Sequence, residues 1–180
     1  VNNQTNDRED LLSRLDYESC LAKCAQSLLK SGRNAEIRVL QYIESLTGIS
    51  RVYVFQNFQD PKDGLCMRQT NEVCGPEAEP QIDNPVLQHV VFAEGFSRWR
   101  DELSQGRTIS GLIEDFPASE REILEPQDIL SILVIPIFVD ESWWGFIGFD
   151  DTRKQRKWGQ KDISLLRAAS EMLSSHIARS

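Results

Sequence analysis

The segment LSILVIPIFVDESWWGFIGFDD, Leu130 to Asp151, limits what this chain can fold into more than any other stretch. Two apolar, β-branched runs flank a short acidic corner, and the second run carries Gly145 and Gly148 between aromatic residues. Side chains of this kind fit a pleated, half-buried surface, so Leu130–Val139 and Trp143–Asp150 are predicted strands of a hairpin. Pro136 cannot donate a ladder hydrogen bond and predicts an edge position or a bulge. Trp143 and Trp144 must point to opposite faces of their strand.

The rest of the chain supplies helices for both ends and a second hairpin. From Glu9 to Lys30, Leu11, Leu12, Leu15, Ala22, Ala25, Leu28 and Leu29 recur at helical spacing, and Ser31-Gly32 breaks the pattern. A second helix is predicted from Asn34 as N-cap to Leu46, with Gly48 beyond its end. RVYVF (Arg51–Phe55) alternates as a strand, and Asp60–Gly64 turns it into a partner running from Leu65 to about Val73. Proline, glycine and acids between Cys74 and Pro85 predict an irregular connection. A short helix over Phe96–Gln105, a strand near Thr108–Ile113 and a helix opened by Pro117 follow. Gln160–Ala178 is predicted as a closing helix with Ile163, Leu166, Leu173 and Ile177 in a near-heptad row. The order implies an α+β fold with a mostly antiparallel sheet.

With 180 residues the chain holds one core, and we expect a single domain over residues 9–180 behind a disordered segment, residues 1–8. The net charge of -8, with bases clustered only at Arg153–Lys157, argues against nucleic acid. No run approaches the length of a membrane span and the N-terminus is polar, so a cytoplasmic domain is expected. The start at valine, with helix at both ends, suggests a piece of a longer protein. Cys20, Cys24, Cys66 and Cys74 lack the spacing of a disulfide framework and read as reduced thiols. Cys20 and Cys24 lie one helical turn apart, but His89 and His176 have no obvious partner ligands, so no metal site is expected. Cys66 beside Arg68 carries the one hint of an activated thiol.

SILVIPIFVDESWWGFIGFDD, then RKW, then the helix KDISLLRAASEMLSSHIA, resembles a GAF domain, a sensory module of bacterial signalling proteins and phosphodiesterases. The likeness runs from about Cys20 to Ala178 and is most specific between Ser131 and Ile177. It implies a GAF/PAS-like central antiparallel sheet, terminal helices on one face, and short helices and loops over a ligand cavity on the other. Fold alone does not choose a ligand. Bilin-binding relatives attach pigment through a cysteine followed by histidine, whereas here Cys66 precedes Met67 and Cys74 precedes Gly75. The NKFDE signature of cyclic-nucleotide binders is absent, and spacing reveals no haem or iron ligand cluster. The cofactor is therefore left unknown. Methionine sulfoxide reductases are the enzymatic relatives, but their cysteine arrangement has no recognisable match, and an enzyme is not expected.

The resemblance also makes the strand Arg51–Phe55 informative. Val52 and Val54 form the aliphatic side suited to the helices, leaving Arg51, Tyr53 and Phe55 toward the cavity. Arg51 pointing to solvent at a strand end remains the alternative. Trp99 and Phe116 fall in the roofing segments, as ligand contacts or as closure of a small core. Arg51, Tyr53, Phe55, Trp99 and Phe116 are thus the candidate ligand-binding residues. The expected function is a sensor that binds a small molecule and signals through its terminal helices. Its expected partners are a second copy in a homodimer and an effector in the same full-length chain: a histidine kinase, a response regulator or a cyclic-di-nucleotide enzyme. The alternatives are a ligand-free dimerisation spacer and a reductase-like enzyme.

Overall fold

A computed structural model describes residues 2–30 and 32–180, with side chains described from Ser13 onward except Ser31. Helix α1 spans Asn2–Leu29, so residues 2–8 are helical where a disordered segment was expected. Its buried row is Cys20, Cys24 and Leu28, one turn apart each time, while Leu15 and Leu29 are exposed. The expected stripe was therefore rotated; the side chains of Leu11 and Leu12, and Ser31, lie outside the described residues. Helix α2 covers Ala35–Thr47. Asn34 does stand before it, but at φ 75° and without a side-chain cap, whereas Gly48 closes the helix at φ 61° and donates to the Glu44 carbonyl.

Strands β1 (Arg51–Asp60) and β2 (Gly64–Cys74) form the first hairpin, and β3 is the two-residue Val90–Val91. Helix α3 (Ser97–Leu103), strand β4 (Ile109–Leu112) and helix α4 (Ala118–Leu124) follow. Pro117 is the N-cap of α4 and not its first residue. The strong hairpin is β5 (Ser131–Val139) and β6 (Ser142–Asp151), its corner made by Asp140 and Glu141 at φ 49° and 66°. Helix α5 spans Gln160–Ala178.

The strands make one antiparallel sheet in the order β3-β2-β1-β6-β5-β4. Because β4 pairs only with Ser131–Val134, β5 is already a free edge at Pro136, and its register shifts at Ile137/Phe138. That position spares the sheet the donor that proline lacks.

Alternation along the central strands divides the interior into two cores. Val52, Val54, Leu133, Ile135, Ile147 and Phe149 face α1, α2 and α5, where Val39, Leu40, Ile43, Leu165, Leu166 and Leu173 complete a continuous apolar layer. Tyr53, Phe55, Met67, Ile132, Val134 and Phe146 face the short helices and loops of the opposite side. Trp144 packs with the helix layer and Trp143 with the other, as strand alternation requires. A displacement of β1 or β6 therefore moves residues in both layers.

Candidate functional site

On the second face the sheet floors a small, tightly lined cavity of about 30 Å³. Its walls are apolar: Phe55 and Phe146 stack at 4.8 Å, Trp99 meets Phe146 edge-on at 5.8 Å, and Leu87, Val90, Ile123 and Ile129 close the sides. Trp99 is held by its polar edge. Its indole N–H donates to Glu120 at 2.5 Å, and the same buried carboxylate takes two bonds from Arg98. This locks α3 to α4 and turns the Trp99 ring, without its N–H, toward the cavity.

One end of the cavity is polar. Tyr53, Gln69, Glu72, Gln127 and Asp150 line it. Gln69 and Glu72 are three apart and would point to opposite faces of a regular strand. The register of β2 shifts opposite Val54/Phe55, so that Phe55 pairs with Gln69 and Tyr53 with Glu72, bringing both to the cavity side. Gln69 donates its amide N–H to Glu72 at 3.3 Å, which fixes the side-chain orientation. Its carbonyl oxygen Oε1 is then buried without a hydrogen-bond partner. Glu72 is committed elsewhere, accepting from the backbone N–H groups of Gln81 and Ile82.

The Tyr53 hydroxyl donates to Asp150 at 2.5 Å. Tyr53 can lie flat against β6 because its cross-strand partner is Gly148, where a Cβ would stand 2.7–2.9 Å from the phenol ring. Burial pushes the Asp150 carboxyl up to about 7, against the opposing pull of the Tyr53 hydrogen bond and the Arg51 charge. The Tyr53 phenol is likewise raised, first by burial and then by Asp150.

Arg51 is 1% exposed, which rules out the solvent-facing alternative. Nor is it free to meet a ligand. It donates at 2.8 Å to the carbonyls of Glu79 and Gln127 and lies 3.5 Å from Asp150, behind the polar end. Tyr53, Phe55 and Trp99 line the cavity; Arg51 and Phe116 do not. Phe116 is buried in the same layer, but its ring carries the Arg98 guanidinium at 4.9 Å. Both had been expected at the ligand. Arg51 is drawn away by two backbone carbonyls, and Phe116, extended after Asp115, sets its ring against Gly111 and Arg98 instead.

Sequence reasoning missed Gln69, Glu72, Gln127 and Asp150. Asp150 carried a signal, since it alternates with Phe146 and Gly148 on one face of β6. Gln69 and Glu72 carried none, because a bulge is not written in the strand period.

The cysteines stand apart from this cavity, and none lines it. Cys66, the one thiol with a hint of activation, is instead raised by burial and by Asp60, Asp63 and Glu94. Arg68 lies over Phe58 and is not among the groups acting on it. Cys20 is held below its ordinary value by a hydrogen bond with Cys24, but both are on α1, on the opposite side of the sheet. His89, which spacing left without partners, lies 2.9 Å from Asp63.

The two-layer architecture agrees with a family model. The GAF domain model matches residues 37–177. The chain belongs to the GAF family. It is 39% identical over 173 residues to the methanogenesis regulatory histidine kinase FilI of Methanothrix harundinacea (strain 6Ac). That match covers 95% of this chain and 19% of the kinase, so the GAF chain spans about a fifth of that relative. The phycocyanobilin-bound GAF domain from a cyanobacterial phytochrome superposes with a TM-score of 0.75 at 16% identity, over 91% of this chain and 94% of that one. The photoproduct state of GAF3 from Slr1393 of Synechocystis sp. PCC6803 gives 0.67 at 21% identity, over 82% and 93%. At these identities the structures establish a common fold. No helix among the described residues is long and apolar enough to cross a membrane.

The buried carboxyl gives this GAF domain a pH signature. A carboxyl raised from its ordinary 3.8 to about 7 adds stability below pH 3.8, where both states are protonated, and that contribution is lost as pH rises through 7. The stability of the wild type relative to Asp150→Asn is expected to fall by up to roughly 4 kcal/mol between pH 4 and pH 7 and then level off. Urea unfolding of both proteins across that range reads the difference directly; a flat or rising difference would show that burial does not govern Asp150.

Proposed function

We propose that this GAF domain is a regulatory sensor whose cavity takes a small, largely apolar molecule bearing a hydrogen-bond donor at one end. The observation that carries this reading is Gln69 Oε1, a buried acceptor without a partner at the polar end of an aromatic cavity. Leaving such a group unsatisfied costs about 1–3 kcal/mol, and a ligand N–H or O–H would recover it. The aromatic walls would have to part from their 30 Å³ packing to admit a ligand, and they suit a flat body, with Asp150 and Tyr53 offering a second polar contact.

Occupancy would act by favouring one packing of the sheet on its helices over another. The connection runs through alternate residues of the same strands, Phe146 and Asp150 on the cavity side and Ile147 and Phe149 on the helix side. Beyond Asp150, Asp151 caps the N–H groups of Arg153 and Lys154, and Trp158 tilts against Phe149 at 5.8 Å just before α5. Helices α1 and α5 pack on each other and on this layer, and they would pass the change to an effector. The kinase similarity supports a histidine kinase in the same full-length chain, acting in the cytoplasm within a two-component system. Residues 9–180 would serve as the sensing unit.

Gln69→Leu separates binding from folding. The substitution removes the partnerless acceptor together with the 3.3 Å bond to Glu72, two opposing effects, so stability is expected to stay within about 1 kcal/mol of the wild type, while ligand affinity falls at least tenfold. Thermal unfolding and Trp fluorescence titration against a metabolite panel read the two effects. Wild-type affinity in the variant would remove Gln69 from the site.

A ligand-free dimerising spacer is the second reading, favoured by the exposed Leu15 and Leu29 on α1, at 50% and 74% exposure. It predicts a homodimer by sedimentation with no small molecule in the native mass spectrum. The reductase-like alternative has no thiol in the cavity to act.

A further inference from the structure

Far from the polar end, the tip of the first hairpin collects side chains that the sensor reading does not use. Asp60 ends β1, Asp63 lies in the turn before β2, Cys66 near the start of β2, and His89 just before β3. One carboxylate oxygen from each aspartate and His89 Nε2 lie within 4.8 Å of one another. Nε2 stands 2.9 Å from Asp63 Oδ2 and 3.8 Å from Cys66 Sγ.

The approach to a single ring nitrogen decides between two chemistries. In a nucleophilic triad the imidazole takes the nucleophile on one nitrogen and the orienting carboxylate on the other. Here thiol and carboxylate converge on the same Nε2. Donors that share a metal ion converge in this way. Bond lengths of about 2.0–2.3 Å at tetrahedral angles separate neighbouring donor atoms by roughly 3.3–3.6 Å. The two observed separations lie on either side of that range, within about half an ångström. We propose that Asp60, Asp63 and His89, whose donor atoms already lie together, form a binding site for a divalent transition-metal ion of zinc character, which Cys66 joins by a shift of its side chain from outside that group.

The donor set of one imidazole, one sulfur and two carboxylates is that of a borderline-soft cation and unlike the all-oxygen shells of calcium or magnesium. Asp60 Oδ1 is occupied by the turn N–H groups of Lys62 and Asp63, leaving its other oxygen for the ion. Binding would replace the Cys66 S–H proton, now directed at the Gly64 carbonyl at 3.5 Å, by a metal–sulfur bond, and release that proton to solvent. Asp63 and His89 are partly exposed, which provides an entry path. Leu87 and Val90, on either side of His89, line the cavity, so the ion would clamp one cavity wall to the hairpin.

Cobalt(II) is the probe. In equilibrium dialysis and absorption titration the chain is expected to bind one ion and to develop a thiolate-to-cobalt charge-transfer band. His89→Gln and Asp63→Asn, at partly exposed positions that leave the fold intact by circular dichroism, should each weaken binding at least tenfold. Cys66→Ser should abolish the charge-transfer band. The proposal is overturned if no cobalt binds, if both surface variants bind as the wild type does, or if the band persists without Cys66, which would move the ion to Cys20 and Cys24. None of these readings requires a ligand in the cavity, so the sensor proposal stands or falls separately.

Discussion

Arg51→Ala is expected to destabilise this GAF domain by about 3–5 kcal/mol, the range for removing one member of a buried charged network. The guanidinium joins three segments: the connection after β2 at Glu79, the turn after α4 at Gln127, and β6 at Asp150. Two of these partners are carbonyls, which alanine leaves buried without a donor. The third is a carboxyl that loses its one adjacent cation and must take up a proton. The loss should therefore be larger at pH 8 than at pH 5, where Asp150 is already protonated. Arg51→Lys should recover little, since one ammonium cannot span the directions that the planar fork covers. Urea unfolding at the two pH values measures all three statements. A loss below about 1 kcal/mol would show that Arg51 is a solvated strand end after all.

The second large effect belongs to Gly145. A Cβ there would stand 2.0 Å from the Phe55 carbonyl oxygen and 3.1 Å from the Gln56 Cα. Both are backbone atoms of β1, so no rotamer change can relieve the overlap. Gly145→Ala must push β1 and β6 apart at the pair Gln56↔Gly145, next to the stacked Phe55 and Phe146. The expected cost is about 3 kcal/mol, at the upper end for overpacking a core. The variant should also open the aromatic floor of the cavity, raising binding of a hydrophobic dye together with the loss of stability. An alanine variant as stable as the wild type would mean that the sheet is looser at this crossing than its register indicates.

These two residues mark what the sequence could and could not convey. The hairpin Leu130–Asp151 was legible because β-branched runs, an acidic corner and two glycines leave few other structures open, and the glycines prove to be places where β1 comes too close for a side chain. The division of strand faces was legible for the same reason: Val52 and Val54 reach the helices while Tyr53 and Phe55 reach the cavity. The buried stripe of α1 was misread because leucines at helical spacing were followed in preference to Cys20 and Cys24, which prove the better buried. Asn34 was recognised as a helix boundary, but its side chain makes no cap, since the residue enters the left-handed region instead.

Within the site, the apolar walls followed from periodicity and the polar end did not. Arg51 was placed correctly on the cavity side of β1, yet backbone carbonyls from two distant segments claim it, and those contacts depend on tertiary structure. Phe116 was assigned by its position in a roofing segment, and only the fold reveals that it supports Arg98 instead. Gln69 reaches the cavity through a register shift in β2, and His89 meets Asp63 and Cys66 through a chain reversal between residues 75 and 89.

The most direct test is a native mass spectrum of the chain and of Gln69→Leu after incubation with a small-molecule metabolite extract. The sensor reading predicts a mass excess from one non-covalently bound molecule on the wild type, absent or strongly reduced in the variant. Equal adducts on both, or none on either, would contradict it.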